Sequence, residues 1–209
     1  KLQQKEIGKP LSILITFGHN IKFWRPGTNY KNHYILKKGG GIILDGSHEY
    51  DYLRWLFEDE IKSVYCQTRS TDSIKTETES FASIMLKTKK GLIANLNIDY
   101  LRPFYERSCH IIGEKGSLRW EYNLTKSAWS TYAQKVNSKV TLQLLSKSSS
   151  VVFNNIIRVN DMYINEIRNF VESIVLNKKP LVDGFDGLNT LRLGVAALES
   201  AKKKKIISL

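Results

Sequence analysis

Two periods run through the chain and divide it. Between residues 61 and 145 apolar and polar positions alternate, the period of a half-buried strand, and turn signals such as Lys89-Lys90-Gly91 and Arg102-Pro103 interrupt the alternation. Strands are expected at 61–71, 79–88, 92–101, 106–112, 117–122, 128–133, 140–145 and 151–154, with an earlier one over 11–17. Short connections between successive strands predict antiparallel pairing. Elsewhere the apolar positions return every three or four residues. Tyr163, Ile167, Phe170 and Ile174 form one helical stripe, ended by Lys179-Pro180, and Leu188, Leu191, Val195 and Leu198 form a second, capped by Asp183 or Asp186. The pattern predicts an α+β fold: a large open, mainly antiparallel sheet with helices packed on one face. The other face stays uncovered, and an uncovered apolar face predicts a partner.

One stretch departs from both patterns and organises the rest. Gly39-Gly40-Gly41 runs into Ile42-Ile43-Leu44-Asp45-Gly46-Ser47-His48-Glu49-Tyr50-Asp51-Tyr52-Leu53-Arg54-Trp55-Leu56, a glycine turn feeding a helix. Three glycines permit φ > 0 or the close approach of another group, so something is expected to need that access. Leu44, His48, Tyr52, Trp55 and Leu56 fall on one helical stripe, with Asp45 one turn before His48. A carboxylate and an imidazole three apart on a helix are neighbours and can pass protons near neutral pH. The same spacing also fits a capping Asp45, a half-buried structural His48 and a surface Asp51.

Before this stretch, residues 1–7 are polar and read as the end of a helix. Residues 18–38 carry His19, Trp24, Arg25, Tyr30, His33 and Tyr34 among Gly, Pro, Asn and Lys. A long irregular segment of this kind either binds something or is pinned to the core by its aromatics. In the first reading Arg25 faces an anionic group.

Composition narrows the partners. A net charge of +12 invites a polyanion, but the lysines are scattered, and the one dense run, Lys202 to Lys205, suits a helix C-terminus. Nucleic-acid binding is therefore the minority reading, while an anionic small molecule such as a nucleotide sugar stays open. Cys66 and Cys109 are too few for a disulfide framework or a metal cluster and are expected reduced, in strands; no metal is expected. No apolar run reaches the length of a membrane span, which predicts no membrane partner and a cytoplasmic protein, and on those grounds the sequon Asn123-Leu124-Thr125 is discounted. No G-x-G-x-x-G follows a strand, so no dinucleotide fingerprint is present.

The segment from Gly39 to Phe57 resembles the signature of the Gfo/Idh/MocA oxidoreductase family. Ile7-Gly8-Lys9-Pro10 and Trp24-Arg25-Pro26-Gly27-Thr28-Asn29-Tyr30 are similar to that family's segment between its nucleotide domain and its second domain. Ile111-Ile112-Gly113-Glu114-Lys115-Gly116-Ser117-Leu118-Arg119-Trp120 resembles its strand-turn-strand, and Ala196-Ala197-Leu198-Glu199-Ser200-Ala201 its last helix. The resemblance covers nearly all of residues 1–209, but only the C-terminal, substrate-binding and oligomerisation half of a family member. It implies a sheet like that of the glyceraldehyde-3-phosphate dehydrogenase C-terminal domain, with the Rossmann domain absent from this chain.

The same resemblance implies hydride transfer between NAD or NADP and a hydroxyl carbon of a sugar, nucleotide sugar or cyclitol, with the cofactor held mainly outside this chain and none expected on the chain alone. His48 matches the general acid/base, and Asp45 its orienting group or a substrate ligand. Arg25, Lys31, Tyr34 and Arg102 are candidate substrate contacts. The commoner family pattern places three residues between the aspartate and the histidine; Asp45-Gly46-Ser47-His48 has two, as in a subgroup that points toward nucleotide-sugar metabolism. A homo-oligomer through the open sheet face is expected. Two further readings stand beside the enzyme: a ligand-binding or assembly module without redox activity, and a basic surface that binds polyanions.

Overall fold

In the computed structural model the described residues are 2, 4–24, 27, 29–33, 37, 39–124, 135–145 and 147–209. Among them nine strands form one sheet: β1 (Pro10–Gly18), β2 (Ile61–Arg69), β3 (Phe81–Thr88), β4 (Ile93–Asp99), β5 (Glu106–Gly113), β6 (Gly116–Leu124), β7 (Lys135–Leu144), β8 (Ser150–Arg158) and β9 (Ile207–Ser208). Their order is β8-β7-β6-β5-β1-β4-β3-β2-β9. Two meanders, β2-β3-β4 and β5-β6-β7-β8, therefore meet at β1. It is antiparallel to β5 and parallel to β4, the one parallel pair of an otherwise antiparallel sheet.

The alternation does what its period demands. On β3, Ala82, Ile84, Leu86 and Thr88 are buried while Ser83, Met85 and Lys87 face outward. Ile13 and Ile15 of β1, with Ala94, Leu96 and Ile98 of β4, continue the buried side. The reverse side carries Leu14, Met85, Ile93 and Ile112, each 43–51% exposed, among Ser12, Asn95 and Asn97. The predicted open face is present, and it is mixed rather than purely apolar.

Helices α1 (Ile42–Asp45), α2 (Ser47–Phe57) and α4 (Gly184–Lys203) cover the buried side, and α3 (Asn160–Val175) follows β8 at the sheet edge. Asp183 caps α4, its carboxylate accepting from the N–H groups of Phe185 and Asp186. The face that α4 buries is Leu193, Gly194, Ala196, Ala197 and Ser200, not the predicted stripe, of which Leu188, Leu191 and Val195 stay 40–52% exposed. Small residues win because α4 lies close on α2 and β2. A Cβ on Gly194 would come 2.5 Å from the Tyr50 hydroxyl, and Ser200 Oγ accepts from Cys66 N–H at 2.9 Å.

Three further expectations change. Residues 4–7 form turns, not a helix end. The predicted strand 128–133 lies outside the described residues, and β7 starts at Lys135, ahead of its predicted beginning at 140. The strand β9 was not predicted; it pairs with β2 after Lys204 ends α4 with φ 53°.

Candidate active site

The predicted helix is broken at Gly46, which caps both α1 and α2. Gly41 enters α1 with φ 104°, a conformation that favours glycine. The group that approaches it is Glu79 from the loop before β3. Its Oε1 accepts from Ile43 N–H at 3.1 Å, and a Cβ on Gly41 would lie 2.2 Å from that oxygen. Burial raises the Glu79 carboxyl above its usual range, against the pull of the Ile43 N–H. The access that the glycines provide is thus taken by the protein's own carboxylate.

On α2 the buried residues are Glu49, Tyr50, Leu53 and Arg54, so the helix is turned about one position from the predicted stripe. Trp55 is 75% exposed, and the His48 side chain, 46% exposed, sits at the rim. Arg54 holds the helix to α4, donating to Thr190 Oγ1 at 2.9 Å and to Asp186 Oδ1 at 3.1 Å.

Beneath α2 the register of the sheet assembles a cluster that spacing along the chain does not show. Phe17 on β1 stands opposite Arg107 on β5, and Cys109 stands opposite Trp120 on β6, whose Tyr122 faces the same side. The Arg107 guanidinium lies 5.6 to 5.9 Å from the ring centres of Phe17, Tyr52, Trp120 and Tyr122. Glu49, fully buried, brings Oε1 to 2.9 Å from Arg107 Nε and to 3.1 Å from His48 Nε2. The His48 ring meets Phe17 edge-on at 5.1 Å. Burial alone would lower the Arg107 pKa, but Glu49 and the tyrosines raise it, so the cation persists in an apolar wall. Burial also raises Tyr52 and Tyr105 and pushes the thiol of Cys109 up to about 12. Cys66, buried on β2, is likewise pushed up to about 12, and neither cysteine is in a disulfide.

Several buried polar atoms here lack an aligned hydrogen bond: both Glu49 carboxylate oxygens, Arg107 Nε and the Tyr52 hydroxyl. The same groups also act on one another, Tyr52 on Glu49 and Cys109, and Tyr105 on Arg107, so the cluster is one connected polar network. Beside the cluster, His19 at the end of β1 stacks against Trp24 at 5.3 Å and Tyr105 at 5.9 Å, and burial lowers its pKa to about 3.

The sequence candidates divide. His48 lies in the cluster. Asp45, half-buried, ends α1 and donates its N–H to Gly41 O, and the carboxylate within reach of the His48 ring is Glu49. Arg102 folds across Gly18 and pairs with Asp99 Oδ2 at 2.9 Å and with Glu106. Lys31 is exposed and lines a separate open pocket with Lys37, Lys75, Thr76 and Glu77. Arg25 and Tyr34 lie outside the described residues. Glu49 and Arg107 were missed. Residues one apart on a helix diverge by about 100° and are not normally neighbours, and Arg107 joins them only through strand register.

The glycine turn lacks the surroundings of a dinucleotide fingerprint. The glycine turn that precedes a helix follows an irregular segment rather than a strand, and Glu79 occupies the N–H groups a pyrophosphate would use. Among the described residues no group of three or more His, Cys, Asp or Glu is placed to hold a metal ion, and no helix is long and apolar enough to cross a membrane.

Comparison with known proteins bears on the fold. The chain is 23% identical over 208 residues to myo-inositol 2-dehydrogenase of Thermotoga maritima, covering 97% of the chain and 57% of that protein. It is 24% identical over 182 residues to scyllo-inositol 2-dehydrogenase (NAD(+)) of Bacillus subtilis, covering 84% and 49%. It spans about half the length of the curated relatives it matches. Aldose-aldose oxidoreductase from Caulobacter crescentus, solved with glycerol, superposes with a TM-score of 0.76 at 18% identity, over 100% of this chain and 58% of that one. The WlbA dehydrogenase from Bordetella pertussis, solved with NADH and UDP-GlcNAcA, gives 0.72 at 21%, over 100% and 57%. At these identities the structures establish the fold alone. The family model for the GFO/IDH/MocA C-terminal domain matches residues 1–119, and the chain belongs to that oxidoreductase family as a C-terminal domain.

Proposed function

We propose that this chain is the substrate-binding half of an oxidoreductase that moves a hydride between NAD or NADP and a hydroxyl carbon of a sugar, nucleotide sugar or cyclitol. The observation that carries the reading is the half-exposed His48 at the rim of a buried cluster, with the Glu49 carboxylate 3.1 Å from its Nε2. His48 takes the proton of the reacting hydroxyl on oxidation and returns it on reduction. Asp45 serves as a substrate ligand at the adjoining helix end. The nicotinamide, when bound, accepts or gives the hydride. The chain's own part is binding, orientation and proton transfer. A second copy of the chain across the open sheet face is the assembly that Leu14, Met85, Ile93 and Ile112 support.

The relatives that act on inositols and the one solved with UDP-GlcNAcA define the probes. Titration of myo-inositol and of a UDP-sugar acid into the chain, followed through the His48 imidazole by NMR and through tryptophan fluorescence, is expected to show saturable binding of one of them. In the polypeptide that carries this chain together with a nucleotide-binding domain, His48→Ala is expected to lower kcat by about 10²- to 10⁴-fold with the Tm unchanged. Equal turnover in the variant overturns the assignment. Saturable binding without turnover in that polypeptide favours the module without redox activity, the reading that the occupied α1 N-terminus supports.

A further inference from the structure

The buried pair Glu49–Arg107 is not an ordinary structural ion pair. Taking two charges out of water is costly, and apolar residues of similar volume often serve stability as well or better. Here the guanidinium is enclosed by four aromatic rings, and Glu49 is buried completely. The pair nevertheless turns one carboxylate oxygen toward the single half-exposed titratable group of the cluster, with Oε1 3.1 Å from His48 Nε2.

We propose that Glu49, held by Arg107, is the positioning residue of His48: it accepts from Nε2–H, fixes the neutral ring in that tautomer, and leaves Nδ1 as the nitrogen that exchanges a proton with a ligand.

The argument is one of donors and acceptors. An ionised carboxylate only accepts, so the ring nitrogen facing it carries the hydrogen, and a neutral imidazole has one N–H. The 3.1 Å contact is within hydrogen-bond reach, between a half-exposed ring and a fully buried carboxylate. Arg107 Nε lies 2.9 Å from the same oxygen, Glu49 Oε1, and the guanidinium charge draws the carboxylate to it. Phe17, edge-on at 5.1 Å, limits the ring from below. Asp45, which spacing alone would make the orienting group, sits beyond the break at Gly46 on a different helix.

The inference rests on the reading of His48 as the proton-transfer group, and its test separates the two. In the ¹⁵N-labelled chain without any ligand, long-range ¹H–¹⁵N spectra above the titration of the ring report the tautomer directly. A single Nε2–H form is expected in the wild type. Glu49→Leu alone leaves Arg107 buried without a counter-charge and is expected to fold poorly, so the variant that decides is the double replacement Glu49→Leu/Arg107→Leu. It removes both charges together and should keep the methyl spectrum of the core. The double variant is expected to show a mixture of tautomers, and Arg107→Lys in the Glu49 background to retain the single form. An Nδ1–H ring in the wild type, or an unchanged Nε2–H ring in the double variant, overturns the proposal. Turnover of His48→Ala in the two-domain polypeptide tests the acid/base reading by itself, and its result leaves the tautomer measurement standing.

Discussion

Helices α2 and α3 invert the usual relation between hydropathy and burial. The first carries Ser47, His48, Glu49, Asp51 and Arg54 within its eleven residues, yet it buries Glu49 completely and Arg54 to 9% exposure. The second has the cleaner apolar stripe, yet Ile167, Phe170 and Ile174 remain 63–66% exposed and none of its residues is buried. Position decides between them. Beneath α2 lie β1, β5 and β6 with an aromatic wall, and beside it lies α4, which offers Thr190 and Asp186. Nothing described lies over α3. Amphipathicity states that a face is to be covered, and the fold states by what. A polar helix laid on a sheet must bring its own charge partners, and those partners are where chemistry can be built.

The sharpest way to break the contrast is to remove one member of the buried pair. Glu49→Ala leaves Arg107 buried without its counter-charge and is expected to destabilise the chain by about 3–5 kcal/mol, as read by urea unfolding. A loss below about 1 kcal/mol would mean that the pair behaves like a surface bridge and that α2 does not depend on it.

Packing sets the next effect. Leu53 is fully buried on α2, and Leu53→Ala is expected to cost about 2–5 kcal/mol by the same measurement.

Much of this architecture could be read from the chain. The alternation of β3 and the Asp183 cap are local rules, and they held; α3 ends at Val175, ahead of the predicted stop at Lys179-Pro180. Where a helix can pack in more than one rotation, the pattern failed. On α2 the large Trp55 suggested one face, while the sheet accepted Glu49 and Leu53; on α4 the leucines suggested one face, while close approach selected Gly194, Ala197 and Ser200. The candidate site was half legible for the same reason. His48 stands out by residue type. Glu49 does not, because its neighbour in sequence is not its expected neighbour on a helix, and Arg107 reaches it only because β1 and β5 pair Phe17 with Arg107. A buried charge on an otherwise apolar face was the available signal: Glu49 is spaced three and four residues from Tyr52 and Leu53.

Acid sharpens the contrast from another side, since the titratable groups that burial perturbs gather under and around α2. His19, 5% exposed, is neutral in the folded state down to about pH 3, whereas an unfolded chain protonates it near 6.5. Below 6.5 the unfolded state therefore binds the extra proton, and stability falls as pH falls toward 3. The contribution is about 1.4 kcal/mol per pH unit within that window and vanishes above it. His19→Phe, which keeps an aromatic ring against Trp24 and Tyr105, should flatten the difference in unfolding free energy between pH 6.5 and 4.5. A slope unchanged in the variant would show that His19 is not protonated more readily in the unfolded chain.

The smallest effect is expected on α3, and its smallness is informative. Ile167 and Phe170 are as apolar as the residues of the core, but they give up little water-exposed area when the chain folds, so the transfer free energy that makes a core leucine costly to remove is absent. Ile167→Ala is expected to change the stability of the 209-residue chain by no more than about 0.5 kcal/mol, with alanine's better helix propensity offsetting the lost methyl groups. The same substitution in the two-domain polypeptide separates two sources of amphipathicity. If its cost rises there to the 2–5 kcal/mol range of a buried aliphatic, the stripe is a core residue set waiting for its second half. If the cost stays near zero in both, the face of α3 serves neither the fold of this domain nor a junction with a neighbouring one, and the inversion between α2 and α3 is complete.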